Sequence, residues 1–328
     1  MSTRVSIVIP TTGSRESLGE TVESLSELEY FGEFDVIVVS DKETSLSNFI
    51  SKDLRVIVHG GKPGLKRNIA AMLSNSEILA FIDDDVIVTK NWLRNIVRFF
   101  ENNENVCVVG GPNLTPSNSS IKERASGYIL SSFLGTATMS ARYSLKEYSG
   151  ICDERYLMSC NLAIKRKALL EIGGFPEDLF PGEETILLYR LRDMGYNIYY
   201  DPNIVVYHYR RPLFIPHMKQ LFSYGKSKGI MIKMFGLNIG LLSFLPLLLV
   251  CYLILTPIIA VLLNSVNLLL VYGLSILAGF VLSFSESLRI TLSNRDYKVL
   301  PYLILGFILH HISYGLGVIL GLFSHRKG

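Results

Sequence analysis

The last third of this chain leaves its fold few options. Three apolar stretches, Leu241 to Leu263, Leu268 to Phe284 and Leu300 to Phe323, contain no Asp, Glu, Lys or Arg. Crossing a hydrocarbon core of about 30 Å takes about 20 apolar residues in a helix. No water reaches a backbone in lipid, so a stretch of this kind has to satisfy its own N–H and C=O groups by coiling into a helix. Pro246 and Pro257 in the first stretch, and the glycines of the third, are tolerated in that setting. The sequence therefore predicts about three membrane helices, with His310 and His311 as the titratable residues of the third.

Composition follows the same division. Mean hydropathy is +0.33 over the 328 residues, yet most of the charge falls in residues 1–230. A net charge of +3 is too small to point to nucleic acid. Cys107, Cys152, Cys160 and Cys251 form no C-x-x-C pair and no Cys/His metal spacing, which suits free thiols in a reducing compartment. Met1 to Pro10 is a short strand-like run rather than a secretion signal.

Immediately before the first apolar stretch, Phe214 to Phe235 mixes Lys219, Lys226, Lys228 and Lys233 with Phe222, Ile230, Ile232 and Met234. A basic amphipathic segment beside a span reads as an interfacial helix near anionic headgroups. Positive charge favours the cytoplasmic side, which places the N-terminal part there. Arg289, Arg295 and Lys298 favour an inside loop between spans two and three. Three spans would then carry Arg326 and Lys327 outside, against the same rule.

The N-terminal part alternates strand and helix signals. Val5 to Ile9 (ended by Pro10), Val36 to Val39, Leu54 to Val58 and Leu79 to Ile82 read as near-continuous apolar strands. Helical spacing separates them, from Ser14 to about Leu28, with Ser14 as N-cap, and again through Asn68, Ala70 and Leu73. Buried strands alternating with helices make a mostly parallel α/β sheet covered on both faces. Val106 to Val109, Asn161 to Ile164, Asn197 to Tyr200 and Ile204 to Tyr207 are further strand signals. Asn113 to Ser120 reads as a polar loop, and Pro181-Gly182-Glu183-Glu184 leads into a helix through Leu187, Leu188 and Leu191.

Ligands bind at the carboxyl ends of the strands in open sheets of this type. Pro10-Thr11, Asp41 and the triplet Asp83-Asp84-Asp85 all fall at such ends. Clustered carboxylates are costly unless a cation or hydrogen-bond donors share the site. Carboxylate oxygens suit Mg²⁺ or Mn²⁺, ions that also bind phosphates. Alternate residues of an extended stretch face opposite sides, so Asp83 and Asp85 would carry the site. Asp84 would point elsewhere and tolerate change best.

Seven segments taken in order, VSIVIPTTGSRESL, VIVVSD, GLKRN, FIDDDV, NLAIKRKALLEIGGF, PGEETILLYRLRDMGY and VVYHYRR, resemble the family 2 glycosyltransferases over residues 4 to about 230. The resemblance implies a GT-A fold, a nucleotide-diphospho-sugar transferase domain of Rossmann-like type. The implied layout is a catalytic domain over 1–212, an interfacial segment over 213–236 and a transmembrane region over 237–328. It also implies roles. Pro10 and Thr11 occupy the nucleotide-holding loop. Asp41 would accept hydrogen bonds from base or ribose, and Lys66, Arg67 and Asn68 would pack near base and diphosphate. Asp83 and Asp85 would hold Mg²⁺ or Mn²⁺, Asp83 also reaching the ribose, and His208 would add a metal or phosphate contact. Glu183 and Glu184 take the place of an acidic pair near the acceptor. The usual second residue there is an Asp general base, and Glu184 is one methylene longer. The implied partners are a UDP- or GDP-sugar donor and a lipid-linked acceptor at a cell membrane, with no nucleic acid. A catalytically silent nucleotide-sugar-binding module is the alternative from a different class. A transporter is a third, which three spans with few polar residues serve poorly.

Overall fold

In the computed structural model, residues 4–13, 17–44, 46, 53–236 and 244–324 are described. The first elements in chain order are β1 (Val5–Thr11), α1 (Ser17–Ser26), β2 (Phe34–Ser40), β3 (Leu54–Val58), α2 (Pro63–Leu73), β4 (Ile78–Phe81), β5 (Val86–Val88) and α3 (Trp92–Asn102). Next come β6 (Val106–Gly110), β7 (Asn113–Leu114), α4 (Ile121–Ser131), α5 (Phe133–Thr136), β8 (Gly150–Ile151), β9 (Leu162–Lys165), α6 (Arg166–Glu171) and α7 (Glu183–Asp193). The chain continues through β10 (Asn197–Tyr200), β11 (Val206–His208), α8 (Ile215–Phe235), α9 (Leu245–Leu262), α10 (Val266–Asn294) and α11 (Leu300–Phe323). They fall into two compact units, Met1–Pro116 with Ala141–Tyr209, and Ser117–Ser140 with Arg210–Gly328. Ser117–Ser140 thus groups with the C-terminal helices in the second unit.

In the first unit the described strands form an eight-stranded sheet in the order β3-β2-β1-β4-β9-β6-β10-β8. The β1–β2, β2–β3, β1–β4 and β6–β10 pairs are parallel, while β9 runs antiparallel to β4 and β6, and β8 antiparallel to β10. Apolar runs make these strands because both faces are covered. Val5, Ile7 and Ile9 pack with Leu18, Val22, Trp92 and Ile96, on the side of α1 and α3. Val8, Ile37 and Val39 pack with Ala70, Leu169, Leu187 and Leu191, on the side of α2, α6 and α7. Pro10 does not end β1 but lies inside it, paired with Val39. The ladder to β4 has already stopped at Val8 and Phe81, so one edge of the strand is unpaired where Pro10 lacks its N–H. Ser14, the expected cap of the first helix, lies outside the described residues.

A second, three-stranded sheet has the order β5-β11-β7. It carries the chain from the triplet Asp83–Asp85 to the strand that ends in His208. Asn161 ties this region together. Its amide donates to the carbonyls of Pro112 and Ile204, and its carbonyl accepts from the Trp92 indole at 2.9 Å.

The second unit is helical. The expected loop before Ile121 ends in a capping box: the Ser120 hydroxyl accepts from the Glu123 N–H, and the Glu123 carboxylate accepts from the Ser120 N–H. Among the described residues, three helices, in α9, α10 and α11, are long and apolar enough to cross a membrane. The first begins at Leu245, and residues 241–243, at the start of the expected stretch, lie outside the described residues. α10 runs on to Asn294, well past the expected end at Phe284. Three serines around that end bond within the fold: Ser283 donates to Ile304 O, Ser285 to Val281 O and Ser287 to Ser283 O.

The Asn161 contacts set a prediction. Asn161→Ala strands a buried indole N–H and two carbonyls at once, so unfolding of the full chain in detergent should cost on the order of 2–4 kcal/mol less. Asn161→Asp should lose nearly as much, because a carboxylate cannot donate to the two carbonyls.

Candidate active site

Parallel pairing brings the carboxyl ends of β1, β2 and β4 to one rim, and the acidic residues follow. Asp83 and Asp85 sit just past β4. β11 runs antiparallel to β5, with His208 opposite Val86 and Tyr207 opposite Ile87. That register places the imidazole beside Asp85, with Nε2 at 3.0 Å from Oδ1. Asp83, Asp85 and His208 each offer a ligand atom, and the three atoms lie within 4.8 Å of one another. Two carboxylate oxygens and one imidazole nitrogen form a donor set that could hold a divalent ion. Burial works to lower the His208 pKa, but the adjoining Asp85 carboxylate, with Cys160, holds it up at about 10. A metal bound there would displace that proton, since imidazole coordinates in its neutral form.

The triplet does not stay extended: β4 ends at Phe81, and Asp84 and Asp85 lie in a turn before β5. Asp84 still stands outside the Asp83, Asp85 and His208 group, but it is not idle. It is 4% exposed, and its Oδ2 accepts from the Thr11 hydroxyl at 2.5 Å. The same hydroxyl accepts from the Gly13 N–H at 2.9 Å. Asp84 thus pins the loop after β1, which corrects the expectation that it is the most replaceable of the three. Thr11 is spent on that contact, and Pro10 is buried within β1, so neither side chain lies open to a ligand.

The segment after Gly64 is also used inside the protein. Lys66 is buried, and its ammonium donates to Thr11 O at 2.6 Å and pairs with Asp41 Oδ1 at 2.6 Å. It clamps the ends of β1 and β2, and leaves Asp41 exposed at the rim. Asn68 exchanges hydrogen bonds with the backbone of Phe175 and reaches the Glu177 carboxylate. It holds the Gly173-Gly174-Phe175-Pro176 turn, where Gly174 has φ +81° and a Cβ would stand 2.5 Å from the Asn68 carbonyl oxygen. The polar groups of Lys66 and Asn68, the residues expected to pack near a nucleotide, have these protein partners.

Arg67 joins the two acidic groups. It is 1% exposed, with Nη2 at 2.7 Å from Asp83 Oδ1 and Nη1 at 2.6 Å from Glu183 Oε1. Its guanidinium stacks 5.4 Å from the Phe175 ring centre. Burial opposes its charge, but Asp83 and Glu183 hold it protonated. Glu183 and Glu184 open α7, after Gly182 at φ +104°, where the helix N-terminus favours negative charge. Glu184 is 8% exposed, and burial, reinforced by the charge of Glu183, pushes its carboxyl up to about 7. The nearby Arg142 guanidinium pulls the other way. Arg142 is a site neighbour with no motif to mark it. It is fixed by donating to the carbonyls of Arg155 and Glu154. A carboxyl that changes charge near neutral pH is matched to proton transfer.

The Arg67 contacts can be tested directly. Arg67→Met leaves Glu183 charged and unpaired in the interior, so the folded state should lose about 3–5 kcal/mol in denaturant titration. Arg67→Lys should recover little of this, because one ammonium cannot fork between two carboxylates.

Residues 6–173, just over half of the 328, match the family described as "Glycosyl transferase family 2". The pre-mycofactocin glycosyltransferase of Mycobacterium tuberculosis is 26% identical over 225 residues, 63% of this chain and 43% of that protein. The chain thus spans less than half the length of this relative. Glycosyltransferase AglE of Haloferax volcanii is 22% identical over 235 residues, 68% of this chain and 72% of that protein. Among solved structures, the mannosyltransferase PcManGT from Pyrobaculum calidifontis, in complex with GDP-Man and Mn²⁺, superposes with a TM-score of 0.60 at 16% identity, covering 93% of this chain and 86% of that one. The mostly parallel sheet with its acidic rim is the GT-A fold, and the chain belongs to glycosyl transferase family 2.

Proposed function

We propose that this protein is a membrane-anchored inverting glycosyltransferase, taking a sugar from a UDP- or GDP-sugar and passing it to a lipid-linked acceptor at the cytoplasmic face of a cell membrane. The observation that carries this reading is the single rim shared by Asp83, Asp85, His208, Arg67 and the Glu183/Glu184 pair. The Mn²⁺ of the mannosyltransferase complex makes Mn²⁺ or Mg²⁺ the ion of choice, held by Asp83, Asp85 and His208. A divalent ion supplies charge neutralisation where a diphosphate leaving group forms.

The chain's own residues do the rest. Arg67 keeps Asp83 and Glu183 in place together. Asp41, at the end of β2, accepts from the base or ribose of the donor, while Lys66 orients it. An acceptor hydroxyl attacks the anomeric carbon from the side opposite the diphosphate, the bond to the diphosphate oxygen breaks, and the hydroxyl proton passes to Glu184. One displacement gives inversion.

Substitution, chelation and pH each test this. Asp85→Ala should abolish sugar transfer while the chain still folds by circular dichroism, with some loss of melting temperature because His208 loses its carboxylate partner. Chelation by EDTA should stop the parent enzyme, and Mn²⁺ or Mg²⁺ should restore it. Full turnover in chelator would refute the ion. For Glu184, transfer to a hydroxyl acceptor should rise with pH through a limb near 7, since the base works only when deprotonated and its pKa is about 7. Glu184→Gln should remove that limb and lower kcat by roughly 10²–10⁴. A loss of less than tenfold would mean that the acceptor arrives already anionic, as a phosphate.

A further inference from the structure

Three helices are apolar enough to cross a membrane, but one of them keeps company that a crossing helix cannot. α11 and α8 run side by side and parallel. His217 Nε2 meets His310 Nδ1 at 3.3 Å, Met218 meets Ser313, and the Lys233 ammonium donates to Ser324 O at 2.9 Å. Between these points the backbones touch. A Cβ on Gly225 would stand 2.1 Å from Tyr314 O, one on Gly317 2.1 Å from Phe222 O, and one on Gly321 2.1 Å from Lys226 O. The shared length, from His217 to Lys233, is about 24 Å at 1.5 Å per residue.

α8 faces α11 with His217, Leu221, Gly225 and Gly229, all buried. Its exposed face carries Lys219, Lys226 and Lys233 at seven-residue spacing, with Ile215 and Phe222 among them. If α11 crossed the bilayer, α8 would be drawn across beside it. Lys219 lies level with Ser313, at the middle of α11, and would stand at mid-depth facing lipid. A charge at that depth is costly, and Lys226 adds to the cost.

α9 and α10 behave differently. Tyr252 and Ser275 hydroxyls meet at 2.6 Å, and Tyr272 donates to Leu253 O at 3.2 Å, so the two helices form a hairpin turning at Leu263-Asn264-Ser265. No charged residue occurs between Lys233 and Glu286. The hairpin has a charge-free tip, and all basic residues of this region lie towards its other end.

We infer that only α9 and α10 cross the membrane, and that α8 and α11 lie together in the plane of its surface, with the lysine face of α8 on anionic headgroups. An even number of crossings returns Arg326 and Lys327 to the side of the α8 lysines, and so removes the conflict that three spans create with the positive-inside rule.

Topology can be read without turnover, so failure here is distinct from failure of the transfer chemistry. Cysteines placed one at a time, Met234→Cys, Leu263→Cys and Ser324→Cys, are reacted with an impermeant maleimide in sealed vesicles of the full chain, over the background of the parent protein. Ser324→Cys should label from the same side as Met234→Cys, and Leu263→Cys from the opposite side. Labelling of Ser324→Cys with Leu263→Cys, or only after the vesicles are opened, would show that α11 crosses; labelling of all three from one side would show that the hairpin does not cross. An environment-sensitive dye on Phe222→Cys should shift to the blue when phosphatidylserine is added to phosphatidylcholine vesicles. The shift should be lost on combining Lys219→Gln, Lys226→Gln and Lys233→Gln. Equal spectra with and without phosphatidylserine would overturn the headgroup contact.

Discussion

One buried guanidinium organises the chemistry of this molecule. Arg67 reaches Asp83 past the end of β4 with one arm and Glu183 at the start of α7 with the other. The fork is rigid and planar, so the separation of the two acids is set by the geometry of a single side chain. The Phe175 ring beneath it packs edge-on against Phe81, 5.2 Å away, which roots the guanidinium in the core below. Asp83, one of the three residues that could hold a divalent ion, and Glu183 thus share one counter-charge. The raised carboxyl of Glu184 answers to the same group: burial and the charge of Glu183 push it up, while Arg142 and Arg67 pull it down.

Much of the first unit was legible because its signals are local. The apolar runs of β1, β2 and β4 leave no choice but buried strands, and a parallel arrangement puts their ends on one rim. Strand alternation singled out Asp83 and Asp85, but it is the turn between β4 and β5 that brings them together and leaves Asp84 out. What the sequence hid was the use of polar residues once buried. The family resemblance marks Lys66 and Asn68 as ligand contacts, but it does not reveal that both are buried and bonded to Thr11, Asp41 and Phe175. Arg142 carries no signal, since it meets Glu184 only through the irregular chain around Tyr156. The helix at Ile121 could have been found: Ser120 and Glu123 have the spacing of a capping box, which an apparently loop-like composition obscured.

The second unit shows the limit of composition as a guide to lipid. α9, α10 and α11 are equally uncharged over their apolar stretches, but their neighbours differ. Glycines at 225, 229, 317 and 321 bring α8 and α11 to backbone contact, and the arrangement proposed above rests on that closeness holding both helices at one depth. The charge of one helix then decides the placement of the other. Hydropathy averaged along a single segment cannot register this, because the deciding lysines are some ninety residues earlier in the chain.

The short ladder of β5 and β11 has a consequence for how such a chain can change over time. His208 reaches Asp85 only because it stands opposite Val86, and successive residues of a strand point to opposite faces. Adding or removing one residue between Asp201 and His208 would present Tyr207 or Tyr209 at that place instead. Ile204 and Val206 of this segment are core residues and constrain its composition by packing. The length of the segment is constrained too, and the histidine is therefore guarded by a residue count as much as by its own identity.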